Sequence, residues 1–405
     1  MVRIPPWGDS RRVARDHRAT KRFMTMSGPR LVLVGGGHAN LLVLASYAKN
    51  PWPCASVTLI SDAEEHAYSG MMPGYIAGQY LHDDVTLKLR PFAAAAGAKF
   101  ICGRVTRLDA PARQVILGDG GIVPYDVAAV ALGSSVAAQN LPGVNTVAHF
   151  VKPMDRADAL VMAFDRAVQE SLLAPLRVVV VGGGAAGIEI ALALRARAGE
   201  MWRPAPTISL VESGPSLSGG RGRALSRQIH RALEHADIRP VLGAEVMSAT
   251  ADRLLLRDGR QLPCDLLVWT TGPTAPTLFE TSGLPTDRGG YLMADQHLRV
   301  PGAAGLFAAG DSAALIDHPE TPKAGVYAVR MGPVLSHNLN AACRGAPAKA
   351  LRRYRPQTRF LALLTTGRGQ AIASWGSWAV TTRGAYWLKH FIDSRFLNGL
   401  KAVYR

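Results

Sequence analysis

The sequence has no run of eighteen apolar residues, so no membrane-spanning helix is written in it. The nearest segment, VVVVGGGAAGIEIALAL from Val178, is too short and too rich in glycine. Cysteine is scarce: the four residues at 54, 102, 264 and 343 form no CxxC or CxxxxC pair. This excludes a zinc ribbon and a local redox dithiol, and the thiols read as reduced, structural and cytoplasmic. The histidines, His38, His66 and His297 among them, show no ligand spacing, so no metal site is expected. Acidic residues are also few, with 30 Asp and Glu against 46 Lys and Arg and a formal net charge of +16. The excess is spread along the chain without a reading motif, so nucleic acid is not expected as a partner.

What remains is globular. A chain of 405 residues with 48% hydrophobic content can fill two or three cores. Residues 1–27 carry seven basic residues against two acidic ones and no hydrophobic region, which reads as a disordered basic extension rather than a secretory signal. Arg30 to Val34 is a short apolar run that ends in Gly35, Gly36 and Gly37, and the periodic ANLLVLASYA after it predicts a helix. The pattern returns in RVVVVGGGAAGIEIALAL, too far along for a solenoid repeat. VTLIS and ISLVE then supply a second strand to each unit, so two βαβ units are expected. KFICGRVTRLD and RQVILGDG predict a hairpin before the buried strand YDVAAVALG, and ADRLLLRDG and CDLLVWTTG repeat that order. The strand of LRVPGAAGLFAAGD is expected to end at Asp311, with a helix from about Lys323 to Ala342.

The residues at the glycine turns carry the chemistry. Gly182, Gly184 and Gly187 fit GxGxxG, in which one glycine turns the chain, one admits a pyrophosphate and one lets helix and strand pack. Glu212 ends the next strand, where it can accept from a ribose 2′-hydroxyl and repel a 2′-phosphate, which favours NADH; Arg221 and Arg223 argue the other way. In the first unit Gly35 and Gly37 hold the first two positions, Asn40 takes the third, and Ser61 with Asp62 stands where the acid is expected. Asp311 in LFAAGD suits a flavin ribityl hydroxyl. The amides of Ala324 and Gly325, with Lys323 beside them, would set positive potential against a flavin edge. His38, Ala39, Ala186 and Glu189 in the helix starts, Gly133 and Gly272 after the buried strands, and Gly310 complete the candidate cofactor-binding set.

Together these residues resemble the FAD-dependent pyridine nucleotide-disulfide oxidoreductase superfamily, in its type II NADH dehydrogenase-like branch. VGGGHANLLVL, AYSGMMPGYIAGQY and PKAGVYAVRMGPVLSHNL resemble the subgroup found alone or fused ahead of selenide, water dikinase. The resemblance implies FAD at Gly35, Gly37 and Asp311, a Tyr68 to Gly74 loop with Met72 and Pro73 near the isoalloxazine, and NADH in the second unit. Lys323 and Tyr68 are the catalytic candidates. The absence of CxxxxC leaves no flavin-to-disulfide relay.

The expected fold is α/β: two Rossmann-like dinucleotide-binding domains and a C-terminal α-rich tail. The boundaries are a FAD-binding domain at 28–150 and 271–345, an inserted NAD(H)-binding domain at 151–270, and an interface or membrane-facing segment at 346–405. The expected reaction takes hydride from NADH to FAD and sends electrons to a quinone or other small-molecule acceptor. A sulfide:quinone-type oxidation, a selenium- or sulfur-linked reductase and a non-turnover NADH sensor stay open. So do two roles for the aromatic, basic tail: peripheral contact with the inner face of a membrane, or packing in a homodimer.

Overall fold

The computed structural model describes residues 28–136, 141–152, 154–171, 173–199, 204–220 and 222–404. The expectations for residues 1–27, for Arg221 and for Pro153 at the crossing between units fall outside the described residues.

The chain opens with β1 (Arg30–Val34), α1 (His38–Lys49), β2 (Ser56–Ser61), β3 (Lys99–Cys102) and β4 (Val127–Val130). Next come β5 (Ala148–Phe150), α2 (Met154–Glu170), β6 (Arg177–Val181), α3 (Ala185–Ala198), β7 (Thr207–Val211), α4 (Arg223–His235), β8 (Ile238–Val241) and β9 (Leu266–Trp269). The last stretch holds β10 (Leu306–Ala308), α5 (Gly325–Cys343), β11 (Ala362–Thr365), β12 (Ala371–Trp375), β13 (Trp378–Thr382) and α6 (Arg383–Lys401).

The apolar runs of β1, β4, β6 and β9 become central strands buried along nearly their whole length, which is how a parallel sheet covered on both faces reads in sequence. One five-stranded parallel sheet has the order β10-β4-β1-β2-β3, and a second has the order β5-β9-β6-β7-β8. The duplication reaches single ion pairs. Arg30 at the start of β1 grips Asp126 just before β4, and Arg177 at the start of β6 grips Asp265 just before β9, each guanidinium using Nε and Nη2. Between the two sheets the crossing segments pair with each other, Ser135–Val136 lying antiparallel to Pro273–Thr274.

Three local expectations shift. KFIC does not join a hairpin: it leaves as β3 to extend the parallel sheet beside β2, and the hairpin begins at Val105–Asp109 and continues through Gln114–Leu117 and Ile122–Pro124. An open sheet edge offers KFIC a full row of backbone partners. The strand expected to reach Asp311 stops at Ala308, and Asp311 sits in the 3-10 turn Gly310–Ser312. The tail helix α6 is preceded by an antiparallel meander of β11, β12 and β13. Thr382 starts α6, its hydroxyl accepting from the Ala385 amide at 2.9 Å.

Helix α5 packs along α1, and Gly332 makes this close approach: a Cβ there would stand 2.5 Å from Leu42 Cδ1. The N-terminus of α5 is thereby brought to the same end of the first sheet as the glycine turn of α1.

Candidate functional site

Each parallel sheet ends in a glycine turn at the C-terminal edge of its central strand, where the helix N-terminus exposes unpaired amides. In the first turn Gly35 has φ +96°, and Cβ atoms at Gly35 and Gly37 would lie 2.5 and 2.3 Å from the Ala131 carbonyl oxygen. In the second, Gly182 has φ +111° against Thr270, and a Cβ at Gly187 would lie 1.8 Å from the Gly182 carbonyl oxygen. Gly184 meets nothing within 4 Å, and Ala185 and Ala186 after it are exposed, so the amides at the start of α3 are open to an approaching anion. Gly133 and Gly272 likewise face open space at matching positions after β4 and β9.

The ends of the neighbouring strands differ. Glu212 after β7 turns its carboxylate back to the glycines, Oε2 accepting from the Gly183 amide and Oε1 from the Gly214 amide, both at 2.7 Å. At the matching position Ser61 is buried and accepts from Ala63. Asn40, which replaces the third glycine of the first unit, is fully buried. Its Nδ2 donates to the carbonyls of Val34, Gly35 and Ala129 at 3.0, 2.9 and 3.3 Å, tying helix to strands with a side chain where the second unit uses contact alone.

Around the first turn the sequence candidates gather from distant segments. Asp311 Oδ2 accepts from the Ser134 hydroxyl at 3.4 Å, and Ser312 donates to the Gly133 carbonyl at 3.2 Å. The first residue of α5, Gly325, stands against Ser69 of the Tyr68 to Gly74 loop, in which Met72 and Pro73 are buried in a short helix. Ala39 is buried, while His38 lies edge-on to His66 with ring centroids 4.7 Å apart and 5.4 Å from Tyr68. Burial lowers the pKa of both imidazoles, His66 to about 4. Their Nε2 atoms are buried and have no partner among the described residues. Two neutral rings with orphaned polar edges, beside a glycine cradle that a Cβ would fill, fit a bound dinucleotide with a ring system at this end of the sheet.

Lys323 is held differently from the sequence expectation. Its ammonium donates to the Ala313 carbonyl and sits 3.8 Å over the Tyr291 ring, with burial lowering its pKa to about 8 while Asp287 and Asp311 oppose that. The amides that begin α5 are the more direct source of positive potential at this place.

A group the sequence reading missed lies on the inner face of α6. Lys389 donates to the Gly70 carbonyl at 2.7 Å and to Asp393 Oδ2 at 2.9 Å, and Asp393 Oδ1 accepts from the Tyr68 hydroxyl at 3.1 Å. Glu189 of α3 approaches from the other side, accepting from the Thr365 amide at 2.7 Å. Burial raises its pKa to about 7 against the pull of Lys389. The signal was present as YxxKHxxD, a polar stripe at helical spacing in Tyr386, Lys389, His390 and Asp393. The outer face is apolar: Trp387 is 65% and Phe391 61% exposed, with Leu388 and Ile392 beside them, whereas Asp393 is 7% exposed. Over residues 386–393 helix α6 thus turns polar side chains inward and large apolar ones outward, while Leu397 and Leu400 further on are buried in the ordinary way.

Cys102 is exposed at the end of β3 beside Ser61, at the same edge of the first sheet as the glycine turn, and the other three cysteines lie elsewhere. Cys54 and Cys343 hydrogen-bond each other at the C-terminal ends of α1 and α5, a helix length from the glycine turn; Cys264 is buried before β9, its pKa pushed up to about 12. Among the described residues no cluster of His, Cys, Asp or Glu is arranged to hold a metal.

Comparison with known proteins agrees with this geometry. The chain is 25% identical over 383 residues to demethylphylloquinone reductase of Synechocystis sp., covering 91% of this chain and 93% of that one. It is 28% identical over 294 residues to an NADH dehydrogenase-like protein of Mycobacterium tuberculosis, covering 70% and 73%. The fold matches NDH2 of Plasmodium falciparum, solved with NADH, at a TM-score of 0.79 and 16% identity, over 93% of this chain and 97% of that one. The family model for pyridine nucleotide-disulphide oxidoreductases matches residues 29–332, and the chain belongs to that family, as an FAD- and NADH-using oxidoreductase of NADH dehydrogenase-like type.

Proposed function

We propose that this chain oxidises NADH and delivers the electrons to a quinone at the surface of an anionic membrane, on which α6 and the β12–β13 turn rest. The observation that carries the reading is the inverted polarity of α6. Its apolar outer face continues into the exposed Trp375 and Trp378 of the adjoining turn, while its polar inner face closes over the Tyr68 to Gly74 loop. A contiguous apolar surface of this kind needs an apolar partner. Exposed Arg383 and Arg395 on α6, with Arg223 and Arg227 at the start of α4, border it with positive charge. A second copy would bring the same charge against itself, whereas anionic headgroups would be attracted.

Gly182, Gly184, Gly187 and Glu212 would hold the adenosine half of NADH. The α3 amides face its pyrophosphate, and Ala186 stays small so that the backbone can approach. Gly35, Gly37, Ala39, Gly133, Gly310, Asp311, Ala324 and Gly325 would hold FAD, with Asp311 accepting from its hydroxyls. Bound FAD supplies two-electron acceptance from NADH and two-electron delivery to the acceptor. Glu189, one turn into α3 and turned toward Lys389, lies between the two cradles. A sulfide:quinone-type reaction needs a pair of thiols near the first glycine turn, and Cys102 alone lies at that edge of the first sheet, with Cys54, Cys264 and Cys343 placed away from it.

The test is anaerobic stopped-flow: NADH should bleach the flavin band, a short-chain ubiquinone should restore it, and the protein should sediment with anionic vesicles. Return only with a protein or chalcogen acceptor would overturn the quinone assignment. Dimerisation without vesicle binding would assign the apolar face to a second copy.

A further inference from the structure

Reduction of a quinone by NADH consumes one proton from solvent: NADH and one H⁺ go in, and NAD⁺ and the quinol, with two new O–H bonds, come out. The proton must cross a wall of protein to reach an acceptor beside the flavin. An apolar outer face on α6 closes the direct way. The inner face offers another.

On that face the His390 ring lies parallel to the Tyr80 ring at 5.6 Å, with the Tyr80 hydroxyl 2.8 Å from His390 Nδ1; both residues are partly exposed. Next to them Gly70, Tyr80, Thr365, Lys389, His390 and Asp393 are among the residues that line an enclosed cavity of about 10 Å³. A cavity of that size is at the lower limit for a single water, and Tyr80, Lys389, His390 and Asp393 offer polar groups at its wall. Beyond it Asp393 and Lys389 form a buried pair, and Asp393 holds the Tyr68 hydroxyl. Tyr68 ends the row against His38 and Phe396, beside the first glycine turn.

We propose that the inner face of α6 is a proton relay: Asp393, held in place by Lys389, passes a solvent proton that arrives through His390 and Tyr80 to the Tyr68 hydroxyl, which gives its own proton to the reduced acceptor. The relay rests on the quinone-reductase reading. The carboxylate gains and loses one proton per turnover, and the electrons come from NADH alone. Asp393 and Lys389 are positioning residues, since neither reaches the acceptor itself.

The charged and titratable groups around the pair come from four directions. Glu189 on α3 faces Lys389, Tyr68 comes from the loop, Tyr80 with Asp84 behind it from the segment after the short helix, and Tyr386 and His390 from α6 itself. Burial and the Asp393 carboxylate both push the Tyr68 phenol far above its ordinary range, so Tyr68 stays a protonated donor throughout the working range.

The two half-reactions separate the relay from the activity it serves. In the holoprotein, Asp393→Asn and Tyr68→Phe should each slow the quinone half-reaction far more than NADH-driven bleaching, which serves as the internal reference. The return with short-chain ubiquinone should slow by about a hundredfold, with an altered pH profile and a larger solvent isotope effect, because proton delivery then limits it. Asp393→Glu should recover part of the rate. Tyr68→Phe removes a single hydroxyl, which keeps the test open if Asp393→Asn folds poorly. Unchanged quinone return in both variants would overturn the relay while leaving the quinone reading intact; a parent protein that never returns electrons to quinone would overturn that reading instead. Titration of tyrosinate absorbance gives a readout independent of turnover. Without the Asp393 carboxylate, Tyr68 should ionise at lower pH than in the parent, by comparison with an Asp393→Asn, Tyr68→Phe double variant; no change would overturn the coupling.

Discussion

The two βαβ units are the same structure solved with different residues. Gly35, Gly36, Gly37 and Asn40 superpose in role on Gly182, Gly183, Gly184 and Gly187, Ser61 on Glu212, and Leu42 on Glu189. Where the helix must approach the strand, the second unit removes the side chain at Gly187 and the first keeps one at Asn40 and makes it bond three carbonyls. Close packing of helix on strand therefore has two chemical solutions, and the GxGxxG pattern describes only one. The middle glycines differ as well: Gly37 is pressed against Ala131, and Gly184 borders open space.

The strongest way to break the comparison is Gly187→Ala. Its Cβ would fall 1.8 Å from a backbone oxygen that cannot move without shifting β6, so a loss of about 3 kcal/mol or more is expected, with NADH-driven bleaching abolished, as measured by denaturant unfolding and stopped-flow. Asn40→Ala attacks the other solution. It removes the donor that the Val34, Gly35 and Ala129 carbonyls share at a fully buried place, and should cost about 1–3 kcal/mol, with FAD retained less tightly on dialysis. A variant as stable as the parent would show that the first unit needs no tie there.

Glu212→Ala tests the strand ends. Loss of a carboxylate that holds two amides, and in the proposed site a ribose, should raise the KM for NADH about tenfold and narrow the preference over NADPH. A pH test addresses Glu189. The folded side chain keeps its proton up to about 7 where the ordinary value is 4.5, so between those values the native state binds more protons than the unfolded one. Stability then falls as pH rises through that window and levels off above it. Glu189→Gln should flatten this slope in thermal unfolding; an unchanged slope would place the titration elsewhere. The smallest structural effect belongs to Gly184→Ala, whose Cβ meets nothing within 4 Å: the melting temperature should hold while NADH binding weakens, in contrast to Gly37→Ala, which should destabilise the fold.

Much of this was legible beforehand. Strand, glycines, helix and second strand are local patterns, enforced by clashes between atoms a few residues apart, so the turns at Gly35 and Gly182 could be read directly. The acid at Glu212 was legible for the same reason. The polar residues of α6 were not. Tyr386, Lys389, His390 and Asp393 repeat at helical spacing like any solvated stripe, and the exposed Trp387 and Phe391 look like a core face. Which face points inward depends on the loop at Gly70 and on Thr365, far away in the chain. The meeting of Cys54 with Cys343 was hidden likewise, because it follows from α1 packing along α5.

The sequence by itself determined the two parallel sheets, their glycine turns and the acid that distinguishes the second, because steric limits on backbone and Cβ act over a few bonds. Only the tertiary structure decided that α6 turns Lys389 and Asp393 inward, that Asp393 meets Tyr68 and that Asn40 stands in for a glycine, because burial and hydrogen-bond partners are fixed by segments that the chain brings together from a distance.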